Sequence, residues 1–246
     1  VLESRPFLIY LNPVFIVKYI YLLIKNLNFK EKITRQLFHI YILNILNYIN
    51  PKIVITYIDN NSIYSWLSQN YRDCEFIAIQ NGLRQNCDNS EISKLTHQHF
   101  YCFGDYDIEK HSDLGCIIDK GYPVGSFRAG LFLSKNKFSK KKYDICIISS
   151  NGRRDPKNIQ NSFNRDAAVN SRKIDRIIKK YVVENNLKLA IALSTNTDSE
   201  KEYFKSLFGE NIEIIERRHS LSTYETINMS NISISFMSTL ILEAIA

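Results

Sequence analysis

The sequence predicts an α/β fold made of two parallel-sheet domains. Short runs rich in β-branched residues alternate with segments long enough for helices, which is the pattern of parallel sheets covered by helices. This alternation occurs on both sides of a polar, basic segment at 134–142. The 246 residues are enough for two domains of ordinary size, each with a core of its own.

The composition is that of a folded protein with an acidic partner. Hydrophobic residues make up 45% of the chain and charged residues 23%, which argues against disorder. The net charge of +7 suits nucleic acid, an anionic membrane surface or a phosphorylated small molecule. No nucleic-acid-binding signature accompanies the scattered basic residues, so we expect no nucleic-acid partner.

The cysteines indicate a reducing compartment. There are five of them, an odd number, and none has the CxxC spacing of a metal or redox site. Buried free thiols in the cytoplasm are the expected outcome. His97, His99 and His111 show no ligand spacing either, so we expect no metal site.

The apolar run at 7–24 predicts a helix. Asn12, Pro13 and Lys18 interrupt it, whereas a membrane span needs about 20 mostly apolar residues. A buried helix that starts near Pro13 is the first interpretation. Peripheral docking on the inner face of the cell membrane is the alternative.

The first domain is predicted at 1–133. Its helices are expected at 14–26, 30–49, 63–70 and 106–114, and its strands at 53–58, 75–80 and 99–103. The run 53–58 is continuously β-branched or apolar, as in buried parallel strands. The polar residues that follow it cap the next helix. Segment 122–126 closes the domain.

The second domain is predicted at 143–246, after a linker at 134–142. Its strands are expected at 143–148, 187–193, 212–215 and 232–236, and its helices at 167–184, 199–208, 223–229 and from Ser238 onward. The last helix has no stop signal before Ala246, so we expect this domain to be incomplete. Two Rossmann-like domains that face each other across a cleft are the predicted architecture.

Ligands bind beyond the carboxyl ends of parallel strands, so the loops at those ends hold the candidate site. In the second domain, Ser238 and Thr239 open a helix straight after a strand, where free N–H groups and the helix dipole favour phosphate. Glu243 follows about one turn later and is placed to reach a sugar hydroxyl. An ordinary N-cap and an exposed helix residue are the alternative.

The first loop of the second domain is a second candidate for phosphate. Ser150 and Gly152 permit close backbone approach, and Arg153 and Arg154 offer bidentate contacts to phosphate oxygens. His219 lies in a charged loop that either borders a nucleotide or is simply solvated. Neither a Walker lysine motif nor GxGxxG is present, so ATP-type and dinucleotide sites lack support.

The first domain offers a candidate base. Asp59 follows a strand and is placed to accept a proton from a hydroxyl, although Asp59 or Asn60 as a helix cap is the alternative. Polar or small residues also follow the second strand directly: Gln80, Asn81, Gly82 and Arg84.

Several of these segments together resemble a known family. The segments 51–60, 76–84, 101–105 and 123–126, in that order, resemble a family of surface carbohydrate biosynthesis proteins, transferases acting on bacterial surface polysaccharide. Segment 238–244 is similar to the element where many GT-B glycosyltransferases hold the donor's phosphates and ribose. Segment 123–132 is similar in placement to the end of the first domain in Kdo-type transferases.

The resemblance covers about residues 50–246 and implies a GT-B-like enzyme. It would move a sugar from a nucleotide-sugar donor, bound by the second domain, to a glycan or lipid-linked acceptor beside the first. Such enzymes generally need no metal or cofactor, because helix ends and basic side chains neutralise the leaving phosphate. A sugar-nucleotide epimerase, a polyol-phosphate transferase and a non-catalytic scaffold of a polysaccharide assembly complex are the alternatives.

Overall fold

The computed structural model describes residues 12–26, 33–82, 95–135, 139–150, 159, 162–209, 212–236, 238 and 240–243. Contacts between Cα atoms divide the chain into two compact units, Val1–Gly125 and Ser126–Ala246. Each contains a four-stranded, wholly parallel sheet among its described residues. The prediction of an α/β fold with two parallel sheets is confirmed.

The first unit has its strands in sequential order. The strands are β1 (Ile53–Thr56), β2 (Glu75–Ile79), β3 (Thr96–Cys102) and β4 (Ile117–Pro123), arranged β1-β2-β3-β4. The helices are α1 (Pro13–Asn26), α2 (Ile33–Ile49), α3 (Ser62–Asn70) and α4 (Asp105–Asp113). Phe76 and Phe100 on the two central strands are fully buried and lie in the largest apolar cluster of this unit.

The second unit has its strands out of sequential order. The strands are β5 (Tyr143–Ile148), β6 (Leu189–Ala192), β7 (Glu213–Ile215) and β8 (Ser230–Ser235), arranged β7-β6-β5-β8. The helices are α5 (Phe127–Lys135), α6 (Ser162–Glu184), α7 (Asp198–Phe208), α8 (Ser222–Asn228) and α9 (Leu240–Glu243). All four residues of β6 are buried, as expected for a strand inside a helix-covered sheet.

Two features of the first unit differ from the prediction. The run 53–58 is not buried throughout, because β1 is an edge strand and leaves Ile53 51% and Ile55 61% exposed. The strand β4 was not predicted at all. It is the opposite edge, its residues are half-buried or exposed, and it therefore lacks an apolar run.

The boundary segment also differs from the prediction. The segment 127–133 was placed in the first domain, yet it forms part of α5 in the second unit, because Ala129 and Phe132 pack with Tyr224. Part of the predicted linker is attached to the second unit. The Lys141 Nζ atom donates to the carbonyls of Asn228 and Ser230, at 3.0 and 2.8 Å.

In the part of the chain that the structure describes, no helix is long and apolar enough to cross a membrane.

Candidate functional site

The order β7-β6-β5-β8 creates a topological switch point in the second unit. The chain proceeds from β5 to β6 and β7 on one side and then returns to place β8 on the other side of β5. Loops at the carboxyl ends of the two strands that flank such a point diverge and leave a crevice, which is where ligands bind in open parallel sheets. The switch point between β5 and β8 is therefore the primary candidate site of this unit.

The switch point brings together two of the predicted donor loops. Ile148 pairs with Ser235 at the ends of β5 and β8, so Ser149 and Ser150 lie beside the segment that leads to Ser238. The Ser238 N–H donates to Ser235 Oγ at 3.0 Å. Ser150 and Ser238 are both half-buried. The prediction that these loops share one edge is therefore matched by the strand register.

Glu200 on α7 ties together the carboxyl ends of β5 and β6. Its side chain is fully buried and accepts a hydrogen bond from the Ser149 hydroxyl. The Ser194 N–H and hydroxyl reach Oε1 at 3.1 and 3.0 Å, and those of Thr195 reach Oε2 at 3.0 and 2.8 Å. Sequence analysis did not single out Glu200, although its position in the first turn of a helix after a strand marks it as a potential anchor of strand-end N–H groups.

The hydrogen bonds to Glu200 outweigh its burial. Burial alone raises the pKa of a carboxyl group, but the donors on Ser149, Thr195 and Ser194 favour the charged form, and the net pKa of Glu200 is lowered. The carboxylate therefore stays ionised inside the unit. It contributes a fixed negative charge behind the strand ends.

Glu243 was predicted to contact the donor sugar, and it has two donors within its own unit. The hydroxyls of Ser126 and Tyr224 both donate to its Oε2 atom. Among the described residues, no hydrogen bond to Oε1 accompanies them. Ser126 also accepts the Ala129 N–H at 3.2 Å, so it caps the start of α5 and holds Glu243 at the same time.

Tyr224 is the member of this cluster that sequence analysis missed. Its ring is buried and stacks on Phe132 with centroids 5.7 Å apart. Burial first, and then the hydrogen bond to Glu243 and its charge, raise the pKa of the phenol, so Tyr224 acts as a donor. The available signal was the segment Ser222–Glu225, but its Ser-x-x-Glu form predicts only a capping box, in which Ser222 and Glu225 bond the first turn of the helix.

The capping-box interpretation is wrong. Ser222 Oγ accepts the N–H groups of Arg218 and His219, at 3.1 and 3.0 Å, instead of bonding ahead into the helix. Glu225 Oε1 lies 3.4 Å from His219 Nε2. His219 is exposed, and its contacts are with residues of its own loop and of α8. Among the described residues, no contact links it to Ser150 or Ser238.

In the first unit, Asp59 is fully buried and lies beside His111. Its Oδ1 atom accepts the Asn81 N–H at 3.2 Å, and its Oδ2 atom lies 3.7 Å from His111 Nε2. The helix-cap alternative for Asp59 and Asn60 is wrong. Asn61 is the cap of α3, and its side chain accepts the N–H groups of residues 63 and 64.

The His111 ring is held from its other nitrogen. His111 Nδ1 lies 2.7 Å from the carbonyl oxygen of Asp107, which can only accept, so Nδ1 carries a hydrogen and donates it. This bond orients the ring so that Nε2 faces Asp59 Oδ2. At 3.7 Å the two atoms are close enough for an electrostatic contact but too far apart for a direct hydrogen bond.

Gln80 forms the second buried link at this edge. Its Nε2 atom donates to Asp107 Oδ1 at 2.7 Å and to the Gly82 carbonyl at 3.0 Å. Its Oε1 atom accepts the Phe103 N–H at 3.0 Å. Gln80 thus fixes the loop that Asn81 occupies, while Asn81 and Asn60 are exposed at the strand ends.

The remaining predicted site residues lie outside the described part of the chain: Arg84, Gly152, Arg153, Arg154 and Thr239. Within the described ranges, no group of three His, Cys, Asp or Glu residues is placed to hold a metal ion.

The fold and the switch point define an α/β protein with a candidate ligand site at the strand ends of its second unit. No protein-family model and no curated protein matches the chain, so the resemblance to surface carbohydrate biosynthesis proteins stays a prediction. One solved structure with a partial match is the crystal structure of a glycosyltransferase from Rickettsia africae ESF-5. The TM-score is 0.43 and the identity 11%, over 85% of this chain and 57% of that one.

Proposed function

We propose that this chain belongs to a glycosyltransferase that moves a sugar from a nucleotide-sugar donor to a bacterial surface glycan or its lipid-linked precursor. The observation that carries the proposal is the switch point between β5 and β8, where the strand register joins loops chosen from sequence as donor-binding. In this proposal the protein works at the cytoplasmic face of the cell membrane, without a metal or a cofactor.

The donor would bind at the switch point of the second unit. Ser150 and Ser238 would approach the phosphates, together with Arg153, Arg154 and Thr239. Glu243 would accept a hydroxyl of the donor through Oε1, while Ser126 and Tyr224 hold its Oε2 atom. A carboxylate held by two donors is pre-organised, so binding costs little side-chain entropy.

The acceptor would bind beside the strand ends of the first unit, near Asn60 and Asn81. The assignment of Asp59 as the general base stays a prediction. The geometry favours a positioning role, since a base must touch the hydroxyl it deprotonates, and the Asp59 carboxylate has no exposed surface. Asp59 and His111 together would then hold the loop at Asn81 in place.

A thermal-shift screen tests donor binding. We would titrate the full-length protein with UDP, GDP, CDP, CMP, dTDP and their sugars. A ligand at ~100 times its dissociation constant stabilises the folded state by about 2.7 kcal/mol, which is a shift of a few degrees. A thermal shift that is selective for one nucleobase supports the proposal, if the shift is smaller in Glu243→Gln and unchanged in the exposed control Glu202→Gln. If no nucleotide produces a shift, the alternative of a non-catalytic scaffold is favoured.

Product analysis then identifies the reaction. Extension of a glycan supports sugar transfer, whereas a free epimer or a phosphodiester product would identify an epimerase or a polyol-phosphate transferase.

Kinetics of Asp59→Asn and His111→Gln separate the two roles of Asp59. Loss of a general base lowers kcat by about 10²–10⁴ and leaves the acceptor KM nearly unchanged. Loss of a positioning residue raises the acceptor KM, and His111→Gln should then reproduce the effect of Asp59→Asn. An unchanged kcat together with an unchanged acceptor KM in Asp59→Asn would exclude both roles.

A further inference from the structure

The helix α1 presents an apolar face to solvent. Six of its large apolar side chains are between 41% and 81% exposed: Val14, Ile16, Val17, Ile20, Tyr21 and Ile24. Single exposed apolar residues are normal on a protein surface, but a continuous strip of this size marks an interaction site. We call these six residues the outward strip.

The orientation of α1 is fixed by its contacts with α2. Phe15 is buried against α2, and its carbonyl accepts the side-chain N–H of Asn44 at 2.9 Å. The Tyr19 hydroxyl donates to the Leu37 carbonyl at 3.1 Å, one turn further along α1. At 100° per residue, Val17 and Ile24 lie on the opposite side of the helix, at the centre of the outward strip.

The charged residues of α1 and α2, the two described helices at this place, are all basic. Lys18 and Lys25 are exposed and lie seven residues apart along one edge of the strip. Neither α1 nor α2 contains an Asp or Glu residue. An apolar strip bordered by two lysines is complementary to a surface that combines hydrocarbon with negative charge.

We propose that α1 lies on an anionic lipid surface, with the outward strip at the boundary between head groups and acyl chains. The helix has 14 residues, about 21 Å in length, so it lies along the surface and does not cross it. A second copy of the chain fits less well, because pairing two strips would bring four lysines to one seam, and α1 itself has no carboxylate to compensate them. The inference does not depend on the proposed sugar transfer.

Vesicle sedimentation tests this assignment. The full-length protein is mixed with vesicles of phosphatidylcholine, alone or with phosphatidylglycerol, and the bound fraction is measured. Val17→Ser with Ile24→Ser should weaken binding at least about tenfold, because both side chains leave the hydrocarbon boundary. The matched control is Ile177→Ser with Val183→Ser on α6, which are 68% and 67% exposed and should bind as the wild type does.

The lysines are tested separately. Lys18→Gln with Lys25→Gln should weaken binding to the anionic vesicles about tenfold and leave binding to phosphatidylcholine unchanged, since each lysine contributes only near negative charge. Circular dichroism confirms that each variant is folded.

Three results would overturn the assignment. One is wild-type binding by the Val17/Ile24 variant, and a second is an equal loss in the α6 control. The third is a wild-type protein that does not bind vesicles of either composition. If that protein forms a concentration-dependent dimer, and the Val17/Ile24 variant does not, a second copy of the chain covers the outward strip.

Discussion

Glu200→Gln tests whether one buried carboxylate holds the strand ends of the second unit. In the wild type, Oε1 accepts the Ser194 N–H and Oε2 accepts the Thr195 N–H, and both receive hydroxyl donors as well. A glutamine has only one acceptor oxygen. The hydroxyls can rotate to accept from the new NH₂ group, but in either amide orientation one backbone N–H loses its partner.

The expected cost follows from that count. One buried donor without a partner costs about 1–3 kcal/mol, and the remaining hydrogen bonds lose the strengthening that the negative charge provides. We therefore expect Glu200→Gln to destabilise the second unit by roughly 2–4 kcal/mol at neutral pH. Glu202→Gln, on the exposed side of the same helix, should change the stability by less than about 0.5 kcal/mol.

The effect should depend on pH with a definite sign. The pKa of Glu200 is lower in the folded state than in the unfolded state. The stabilisation by its charge is therefore complete above the unfolded pKa of about 4.3 and is lost as the pH falls through the folded pKa. The difference in the free energy of unfolding between wild type and Glu200→Gln should therefore become smaller as the pH falls below about 4.3.

Urea unfolding with two probes measures this. Hydrogen exchange of the β5 and β6 amides reports on the second unit, and fluorescence of Trp66, the single tryptophan, reports on the first unit and serves as the control. A loss below about 0.5 kcal/mol, or a loss that is the same at neutral and acid pH, would refute the anchoring role.

Three further perturbations test other parts of the structure. Tyr224→Phe should cost about 1–3 kcal/mol in urea unfolding, because Glu243 loses a buried donor; an unchanged midpoint would contradict this contact. Burial lowers the pKa of His97 to about 4, so the free energy of unfolding should fall as the pH drops from about 6.5 towards 4. His97→Phe should abolish this decline. If the decline persists in His97→Phe, another group causes it. Gly209→Ala should destabilise the protein by roughly 1–3 kcal/mol, because φ of Gly209 is +87°. Gly130→Ala in α5 should stabilise it by up to about 1 kcal/mol, because no atom lies within 4 Å of the added Cβ. Equal effects of the two substitutions would contradict the backbone argument.

The parallel sheets were predictable because burial leaves a mark on the sequence. The strands β5 and β6 lie inside a covered sheet and are apolar apart from Asp144 near the start of β5, so their composition identifies them. The edge strand β4 carries Asp119, Lys120 and Gly121 and has no such mark. Its position depends on pairing with β3, and pairing between distant segments is not encoded in local composition.

The same distinction applies to the candidate site. Ser150 and Ser238 could be placed at one edge because the strand-end rule needs only the order of elements. The partners of Glu243 could not, because they lie 19 and 117 residues away in the chain. His111 illustrates the limit most clearly: without the fold, nothing in its sequence neighbourhood points to Asp59.

The switch point also sets the order in which the two units can fold during synthesis. In the first unit each strand pairs with the next one in the chain, so the sheet can grow as the ribosome delivers it. In the second unit the contact between Ser235 and Ile148 spans 87 residues. Until β8 emerges, one edge of the apolar strand β5 stays open, and open apolar edges recruit other chains. The strand order that creates the switch point therefore makes the nascent second unit the aggregation-sensitive stage of this protein's synthesis.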